Sequence, residues 1–259
     1  MASDYTKKQI HRGGSGIGLM ATQALAVNGA KVYITGRTKE KLDMVTNTYN
    51  RGVAGQIISI ASDITDKKDI VALYDEIANK EEHLDILINN AGISTETFET
   101  FETEANSAEA MKKQMFDDEK ATFKDWDDLY RSNHGYSGTV INICSISGQV
   151  KTMQHHPQYN ASKAATIHLT RMLAHEIANN GLKIRVNSIA SGVFPSEMAA
   201  GNSKAYQKSF ILKDKYADKV PAGRPGNNRD MAGAILFAAT CQYLNGQTVT
   251  VDGGYMLAA

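Results

Sequence analysis

The chain has 259 residues, and its 28 Lys and Arg residues balance 28 Asp and Glu residues, so its formal net charge is zero. This balance gives no electrostatic reason to expect a nucleic acid or a membrane surface as a partner. A hydrophobic fraction of 42% with 22% charged residues suits a globular core and excludes general disorder. The two cysteines cannot form a disulfide framework or a zinc site alone, so we predict no metal site. With no apolar leader and no run of about 18 apolar residues, we expect a cytoplasmic protein.

Short apolar runs alternate with helical patterns, which predicts an α/β fold with a parallel sheet. The runs are rich in Val and Ile and show little polar alternation, as expected for strands covered on both faces. The predicted strands are 31–35, 56–61, 84–89, 139–144, 184–189 and 247–251. No linker divides the chain, so we predict a single domain over residues 1–259.

Amphipathic stretches between these runs predict helices. Gly29 is placed to end the first helix, and Thr65 and Asp66 can cap the second. The predicted apolar faces are Ile17, Met20, Ala21, Ala24 and Leu25 in the first helix, Ile70, Tyr74, Ile77 and Ala78 in the second, and Ala161, Ala165, His168, Leu169 and Met172 in the third.

An acidic stretch, about 94–124, is longer than a strand-to-helix connection requires. Asn106 and Glu109 are spaced as in a capping box, which indicates helical structure. Two interpretations remain open here: a solvated helical insertion, or a flap that contacts a substrate or partner.

A glycine-rich turn opens the first predicted helix. Glycines at this point let a pyrophosphate approach the backbone and lie on the helix N-terminus. The predicted phosphate-binding residues are Gly13, Ser15, Gly16, Ile17 and Gly18. Such turns are common, so this motif alone is weak evidence.

The second predicted strand ends at Gly36 and Arg37, where a dinucleotide fold selective for NAD carries an acidic residue. An arginine there can bind a 2′-phosphate through charge-assisted hydrogen bonds, so the sequence favours NADP(H). The alternative is that Arg37 is only a solvated charge at a helix entry.

The third and fourth predicted strands end at Asp63 and at Asn90, Ala91 and Gly92. Ligands of open parallel sheets bind at the carboxyl ends of strands, so these positions suit a cofactor edge. Asn90 is equally compatible with a structural role between neighbouring strands.

Tyr159 and Lys163 are four residues apart and therefore share a helical face, and Ser145 closes the preceding strand. A nearby lysine cation favours the phenolate and lowers a tyrosine pKa from its usual value of about 10. Tyr159 is therefore a candidate proton donor to a ketone or acceptor from an alcohol. Ser145 can hydrogen-bond the same substrate oxygen.

From about Gly13 to the C-terminus, the ordered motifs GGSGIG, Asp63, NNAG, INICSISG, YNASK and VDGG resemble the short-chain dehydrogenase/reductase family. The resemblance implies a doubly wound, Rossmann-type three-layer sandwich and NAD(P)-dependent oxidoreduction. It also implies a homodimer or homotetramer and a Ser–Tyr–Lys site that Asn133 would complete through a water-mediated proton relay. In this comparison Ser145 orients the carbonyl, Tyr159 transfers the proton and Lys163 holds the nicotinamide ribose.

The same resemblance matches Ser196 to a hydroxyl residue that contacts the nicotinamide carboxamide. Residues 196–220 correspond to a substrate lid. The insertion and the GRTKEKL segment are similar to 3-oxoacyl-carrier-protein reductase-like members of fungi.

The sequence departs from the family pattern near residues 11, 133 and 240. Lys7, Lys8 and Arg12 lie where the family has a buried central strand, and burying these charges is unfavourable. Either the printed sequence omits residues at these places, which we prefer, or the deletions are real and impair cofactor binding. An intact mass larger than that of the sequence would support omission.

Smaller features also carry expectations. Ser191 replaces the usual proline and should loosen the turn that follows. His155 and His156 could face substrate, although polar surface is the simpler interpretation, and Cys144 should be a small buried strand residue.

The predicted function is NADPH-dependent reduction of a ketone, a 3-oxoacyl group or another secondary-metabolite carbonyl, to an alcohol. The partners would be the small carbonyl or alcohol substrate and other copies of the chain. The alternative is a degenerate member that acts as a scaffold or as a non-redox, pericyclic or isomerising catalyst.

Overall fold

The computed structural model describes residues 8–11, 13–90, 138–152, 156–197, 206–212, 218 and 220–258. Within them, helices pack on a single sheet of parallel strands. The strands are β1 (Lys8–His11), β2 (Lys31–Gly36), β3 (Gln56–Ala61), β4 (Ile86–Asn89), β5 (Gly138–Ser145), β6 (Ile184–Ser191) and β7 (Thr248–Val251). The helices are α1 (Gly16–Val27), α2 (Lys39–Tyr49), α3 (Lys67–Ala78), α4 (Pro157–Asn179), α5 (Asn228–Thr240) and α6 (Tyr255–Ala258), with a 3₁₀ turn at Ile146–Gly148.

The strand order is β3-β2-β1-β4-β5-β6-β7, with every pair parallel. The order reverses between β1 and β4, which is the position where open α/β sheets bind ligands at the carboxyl ends of their strands. The main core packs α1 and α5 against the sheet through fully buried side chains such as Leu19, Ile34, Ile141 and Ile235. This arrangement confirms the predicted doubly wound, Rossmann-type single domain.

β1 lies at the centre of the sheet, between β2 and β4, although the charged sequence at 7–12 disfavours burial. Lys8 aligns with Lys31 of β2, and Gln9 aligns with Ile86 of β4. Backbone hydrogen bonds to both neighbouring strands define the position of β1. The sequence prediction had only the hydropathy of these residues to indicate a strand. The predicted strands did not include this one, because its charged residues disfavour burial, whereas the fold has a central strand here; Arg12 lies outside the described residues.

Predicted strand boundaries agree with the observed ones to within two residues, and the predicted helix signals are present. Gly29, with φ of +90°, follows the end of α1 and donates its N–H to the carbonyl of Ala26 at 3.1 Å. The Asp66 carboxylate accepts the N–H of Lys68 at 2.8 Å and caps α3.

The buried faces of two helices differ from prediction. In α3, Leu73 and Ile77 are buried, whereas Ile70 and Tyr74 are 46% and 43% exposed. Leu73 and Ile77 pack with Tyr33 and Ile60 of the sheet. The rotation of α3 is thus set by contact with β2 and β3 and not by the largest count of apolar residues on one face.

Helix α4 shows the larger difference. Ile167, Thr170 and Ala174 are buried, whereas Ala161, Ala165 and His168 are exposed and Met172 is 50% exposed. The face turned to the sheet carries a polar contact, because the amide of Asn142 donates to the hydroxyl of Thr170 at 2.9 Å. Hydropathy therefore indicated the wrong face of this helix.

A buried carboxylate, Glu81, joins the segment before β4 to β2. The Tyr33 hydroxyl donates to the Glu81 carboxylate at 2.5 Å, and the Lys31 ammonium pairs with the same carboxylate. Burial, together with the hydrogen bond to Glu81, raises the pKa of Tyr33. Glu81 is thus a buried carboxylate stabilised by two partners on one strand.

The junction between α5 and β7, where the family pattern is shortened, is closed by Arg185 of β6. Its buried guanidinium donates to the carbonyls of Ala238, Ala239 and Leu244 at 3.2, 2.9 and 3.0 Å. These carbonyls lie at and beyond the C-terminal end of α5, where a cation is favourable. Burial lowers the pKa of Arg185 from its usual value.

Candidate active site

An open cleft of about 520 Å³ lies at the carboxyl ends of β2, β4, β5 and β6. It extends from the glycine turn before α1 to the first turns of α4. The predicted site residues that line it are Ser15, Gly16, Ile17, Arg37, Asn90, Ser145, Tyr159, Lys163 and Ser196.

Three of the predicted cofactor residues that the structure describes lie outside this lining. Gly13 is buried, and a Cβ at its position would lie 2.2 Å from Ile34, so glycine allows the turn to pack on β2. Gly18 is buried within α1. Asp63 accepts the N–H and the hydroxyl of Thr65 at 3.0 and 2.7 Å, which shapes the loop before α3. Asn133, Ala91, Gly92, His155 and the insertion at 94–124 lie outside the described residues.

Ser145 lies at the end of β5, where its side chain is buried at the base of the cleft. Its hydroxyl accepts the N–H of Ser147 at 3.1 Å and so begins the 3₁₀ turn. The same side chain hydrogen-bonds Tyr159, and this bond acts to lower the pKa of Tyr159.

Burial outweighs this hydrogen bond, and the pKa of Tyr159 is raised from its usual value. The ammonium of Lys163 lies 5.6 Å from the centre of the Tyr159 ring and donates to the carbonyl of Ile143 at 3.3 Å. Burial lowers the pKa of Lys163. The predicted effect of Lys163, a lowered Tyr159 pKa, is therefore not what this arrangement gives, because burial of the phenol dominates.

Gly148 brings β5 and α4 together at the site, a role that the sequence reasoning missed. A Cβ at Gly148 would lie 2.6 Å from the backbone of Lys163 and of Ala164. A larger residue would therefore push the turn after Ser145 away from α4. The only signal in the sequence was the glycine that follows SIS, and its packing against a helix could not be read from spacing.

A chain of polar side chains, in which Asn142 and Thr170 are buried and Asn89 is exposed, joins the elements of the same region. The Asn89 amide donates to Asn142 at 2.9 Å, and Asn142 in turn donates to Thr170 of α4. β4, β5 and α4 are therefore joined by side chains as well as by packing.

Ser191 does not loosen the end of β6 as expected. The strand continues through Ser191, which is buried and paired with Ser145 of β5. Its hydroxyl donates to the carbonyl of Cys144 at 3.4 Å, and the N–H of Gly192 donates to Val251 at 2.9 Å. Unlike proline, serine supplies a hydroxyl that contacts the neighbouring strand.

The other end of the cleft is exposed and ionic. Arg37 follows β2, and Lys41 of α2 also lines the cleft. Glu197 receives a hydrogen bond from the Ser15 hydroxyl at 3.3 Å and pairs with Lys41 at 3.2 Å. Lys41 and Glu197 were not identified from the sequence. Lys41 was visible only as one cation among several in the GRTKEKL segment.

His156 and Cys144, the other side chains considered in the sequence analysis, lie in ordinary surface and core environments. His156 is exposed and precedes α4, whereas Cys144 is buried beside Ser145, and its burial raises the pKa of the thiol. Across the described part of the chain, no cluster of three His, Cys, Asp or Glu side chains could hold a metal ion. None of the helices assigned within these ranges combines the length and hydropathy needed to cross a membrane.

Comparison with known proteins agrees with this geometry. Residues 13–256 match a family model described as enoyl-(acyl carrier protein) reductase. The chain is 32% identical to short-chain dehydrogenase/reductase PhomF from Diaporthe leptostromiformis, covering 93% of this chain and 88% of that protein. It is 31% identical to the 3-oxoacyl-[acyl-carrier-protein] reductase FabG of Rickettsia typhi, covering 98% and 99%. The fold is similar to the NADP complex of RhlG from Pseudomonas aeruginosa, with a TM-score of 0.74, 28% identity, and coverage of 98% and 99%.

Proposed function

Because the chain belongs to the short-chain dehydrogenase/reductase family of oxidoreductases, we propose that it uses NADPH to reduce a ketone to an alcohol. The substrate is a 3-oxoacyl group or another secondary-metabolite carbonyl. One observation carries this proposal: a single cleft joins the glycine turn and two cations to Ser145, Tyr159 and Lys163.

The residues at the exposed end of the cleft fit a phosphorylated dinucleotide. Gly16 has φ of +55°, a conformation that favours glycine, and a Cβ there would approach Ser196 to 3.3 Å. Glycine at this position therefore leaves the backbone of the turn accessible to a phosphate. Arg37 and Lys41 supply cations, and Ser15 supplies a hydroxyl. This donor set suits phosphate groups, and its two cations favour the 2′-phosphate that distinguishes NADPH from NADH.

At the buried end, the residues suit proton transfer to a carbonyl oxygen. NADPH, when bound, supplies the hydride. Tyr159 donates its proton to the substrate oxygen. Ser145 orients this oxygen and the Tyr159 hydroxyl toward each other by hydrogen bonding. The Tyr159 phenol is protonated at neutral pH already at the usual tyrosine pKa of about 10, and burial, which raises the pKa, acts in the same direction; this is the state that reduction requires.

The remaining predictions are part of the same proposal. Asn133 completes the relay that begins at Lys163, Ser196 contacts the nicotinamide carboxamide, and residues 196–220 cover the substrate. The protein is a cytoplasmic homodimer or homotetramer, which cell fractionation and analytical ultracentrifugation would test. The FabG relative, whose name is 3-oxoacyl-[acyl-carrier-protein] reductase, supports a carbonyl on an acyl chain as the substrate class.

The decisive experiment measures NADPH and NADH binding to the purified protein by fluorescence and thermal shift, followed by NADPH consumption with a panel of ketones. We expect tighter binding of NADPH and turnover with at least one 3-oxoacyl thioester or polyketide-like ketone. Equal binding of both dinucleotides would refute the assigned role of Arg37 but retain the reductase. Binding of neither would refute the proposal and favour a scaffold or a non-redox catalyst.

A further inference from the structure

Glu197 places a carboxylate among the groups that we assign to cofactor phosphate. Its two oxygens have different partners: Oε1 lies 3.2 Å from the Lys41 ammonium, and Oε2 accepts the Ser15 hydroxyl at 3.3 Å. The Ser15 side chain makes no capping bond to α1, so its hydroxyl is directed to Glu197 instead of the helix. One carboxylate therefore bridges the glycine turn and α2.

The neighbouring backbone holds Glu197 at this position. Ser196 lies 3.3 Å from the point that a Cβ on Gly16 would occupy, so the chain at 196–197 passes directly over the glycine turn. Phe194, three residues earlier, is buried in the main core. Glu197 is thus presented to the cleft by an anchored segment.

The exposure of this pair makes exchange possible. The side chains of Lys41 and Glu197 are 48% and 38% exposed, and exposed ion pairs contribute little to stability. A phosphate group carries more negative charge than a carboxylate and binds the same kinds of donor. An incoming phosphate can therefore replace the carboxylate at Lys41 and Ser15.

We propose that Glu197 is an internal anion that competes with the 2′-phosphate of NADPH for Lys41 and Ser15, and so lowers the selectivity for NADPH over NADH. This inference rests on the proposed function, because it requires a dinucleotide in the cleft. It assigns Glu197 a specificity role and no part in proton or hydride transfer.

The test measures dissociation constants of NADPH and NADH by isothermal titration calorimetry for the wild type and Glu197→Gln. We expect the NADH-to-NADPH ratio of dissociation constants to rise by about 3- to 10-fold in the variant. Glu197→Ala removes the same charge and should give the same change. The matched control is Glu40→Gln, which removes an exposed charge beside Lys41 but outside the cleft lining, and should change the ratio by less than about 2-fold.

A double-mutant cycle identifies the partner. If Glu197 acts through Lys41, Glu197→Gln should change the ratio by less than about 2-fold when Lys41 is already Gln. A full effect in that background, an equal effect in Glu40→Gln, or an unchanged ratio in Glu197→Gln would overturn the inference.

The same measurements distinguish failure of the Glu197 role from failure of the proposed function. If the wild type binds NADPH and Glu197→Gln leaves the ratio unchanged, only the role of Glu197 is lost. If neither dinucleotide binds to any of these proteins, the proposed function fails and the role of Glu197 fails with it.

Discussion

The two ends of the cleft are built differently. At one end Ser145 is buried, and Tyr159 and Lys163 are positioned by the packing of α4 on β5 and by the hydrogen bonds that join Asn89, Asn142 and Thr170. At the other end Arg37 is exposed, and Lys41 and Glu197 form a partly exposed pair. In the proposed reaction, proton transfer therefore depends on groups fixed by the core, whereas cofactor choice depends on surface charges that can change without disturbing the fold. Substitutions at buried positions should therefore have the larger effects.

The largest effect should come from Tyr159→Phe, which removes the proton donor but keeps the ring. We expect the rate of ketone reduction to fall by about 10²- to 10⁴-fold, because a positioned general acid contributes a factor of that size. NADPH affinity should change by less than about 2-fold on the scale of an exposed polar contact. Steady-state kinetics and calorimetry would measure the two quantities.

Tyr74→Phe is the matched control, because Tyr74 is an exposed tyrosine on α3. It should leave the rate unchanged. Retention of most of the activity in Tyr159→Phe would remove the buried end of the cleft from the mechanism.

Arg185→Met tests the buried polar contacts at the edge of the sheet opposite the cleft. The substitution removes three hydrogen bonds to carbonyls near the end of α5, so that each of these carbonyls loses its Arg185 donor. We expect the free energy of unfolding to fall by about 2–4 kcal/mol, as for a disrupted buried polar network. Urea denaturation would measure this change, with Arg171→Met on the exposed face of α4 as control. Equal losses in the two variants would contradict the role given to the Arg185 contacts.

Arg37→Ala tests the exposed end directly. We expect NADPH to bind about 10-fold more weakly, because a charge-assisted contact to the 2′-phosphate is lost, while NADH binding changes by less than about 2-fold. Calorimetric titration with both dinucleotides would measure this difference, and Arg51→Ala, at an exposed position after α2, is the control. An equal loss for the two cofactors would show that Arg37 does not distinguish them.

The smallest effect should come from Asp230→Asn in the partly exposed cap of α5. The hydrogen bond from Arg224, at 2.6 Å, is the largest of the causes that lower the pKa of Asp230. Because the folded-state pKa is lowered, this stabilisation is present above the usual aspartate value and is lost as the pH falls through the lower, folded-state value. The wild type should be more stable than the variant by about 0.5–1 kcal/mol at neutral pH, with solvent screening included.

Urea denaturation at neutral pH and at about pH 2 would measure this difference, which should disappear in acid. Asp75→Asn, at an exposed position in α3, is the control. A difference that persists unchanged in acid would mean that it does not arise from the Asp230 charge.

The sequence was a good guide to most strands and to the buried end of the cleft. Val- and Ile-rich runs predict covered parallel strands, and the spacing of Tyr159 and Lys163 fixes their common helical face. β1 was missed as a central strand because pairing with β2 and β4 places it, and its own residues carry no such signal.

The exposed end of the cleft could not be predicted in the same way. The contact of Glu197 with Ser15 joins residues 182 positions apart, and no local pattern encodes it. The predicted buried faces of α3 and α4 were wrong for a related reason. Contacts with side chains of the sheet, including Asn142, determine which helix residues are buried. Local patterns thus predict elements and short-range spacing, whereas approaches between distant segments emerge only in the folded chain.

The group formed by the buried residues Tyr33 and Glu81 and the partly exposed Lys31 also constrains how related sequences can diverge. Removing Lys31 or Tyr33 alone leaves the Glu81 carboxylate with one partner fewer in a buried position, and removing Glu81 alone leaves the buried Tyr33 hydroxyl without its acceptor. Each single step is unfavourable, whereas replacement of all three by apolar residues of similar volume can be neutral. Drift at these positions should therefore be correlated, with the three residues inherited or exchanged as a set.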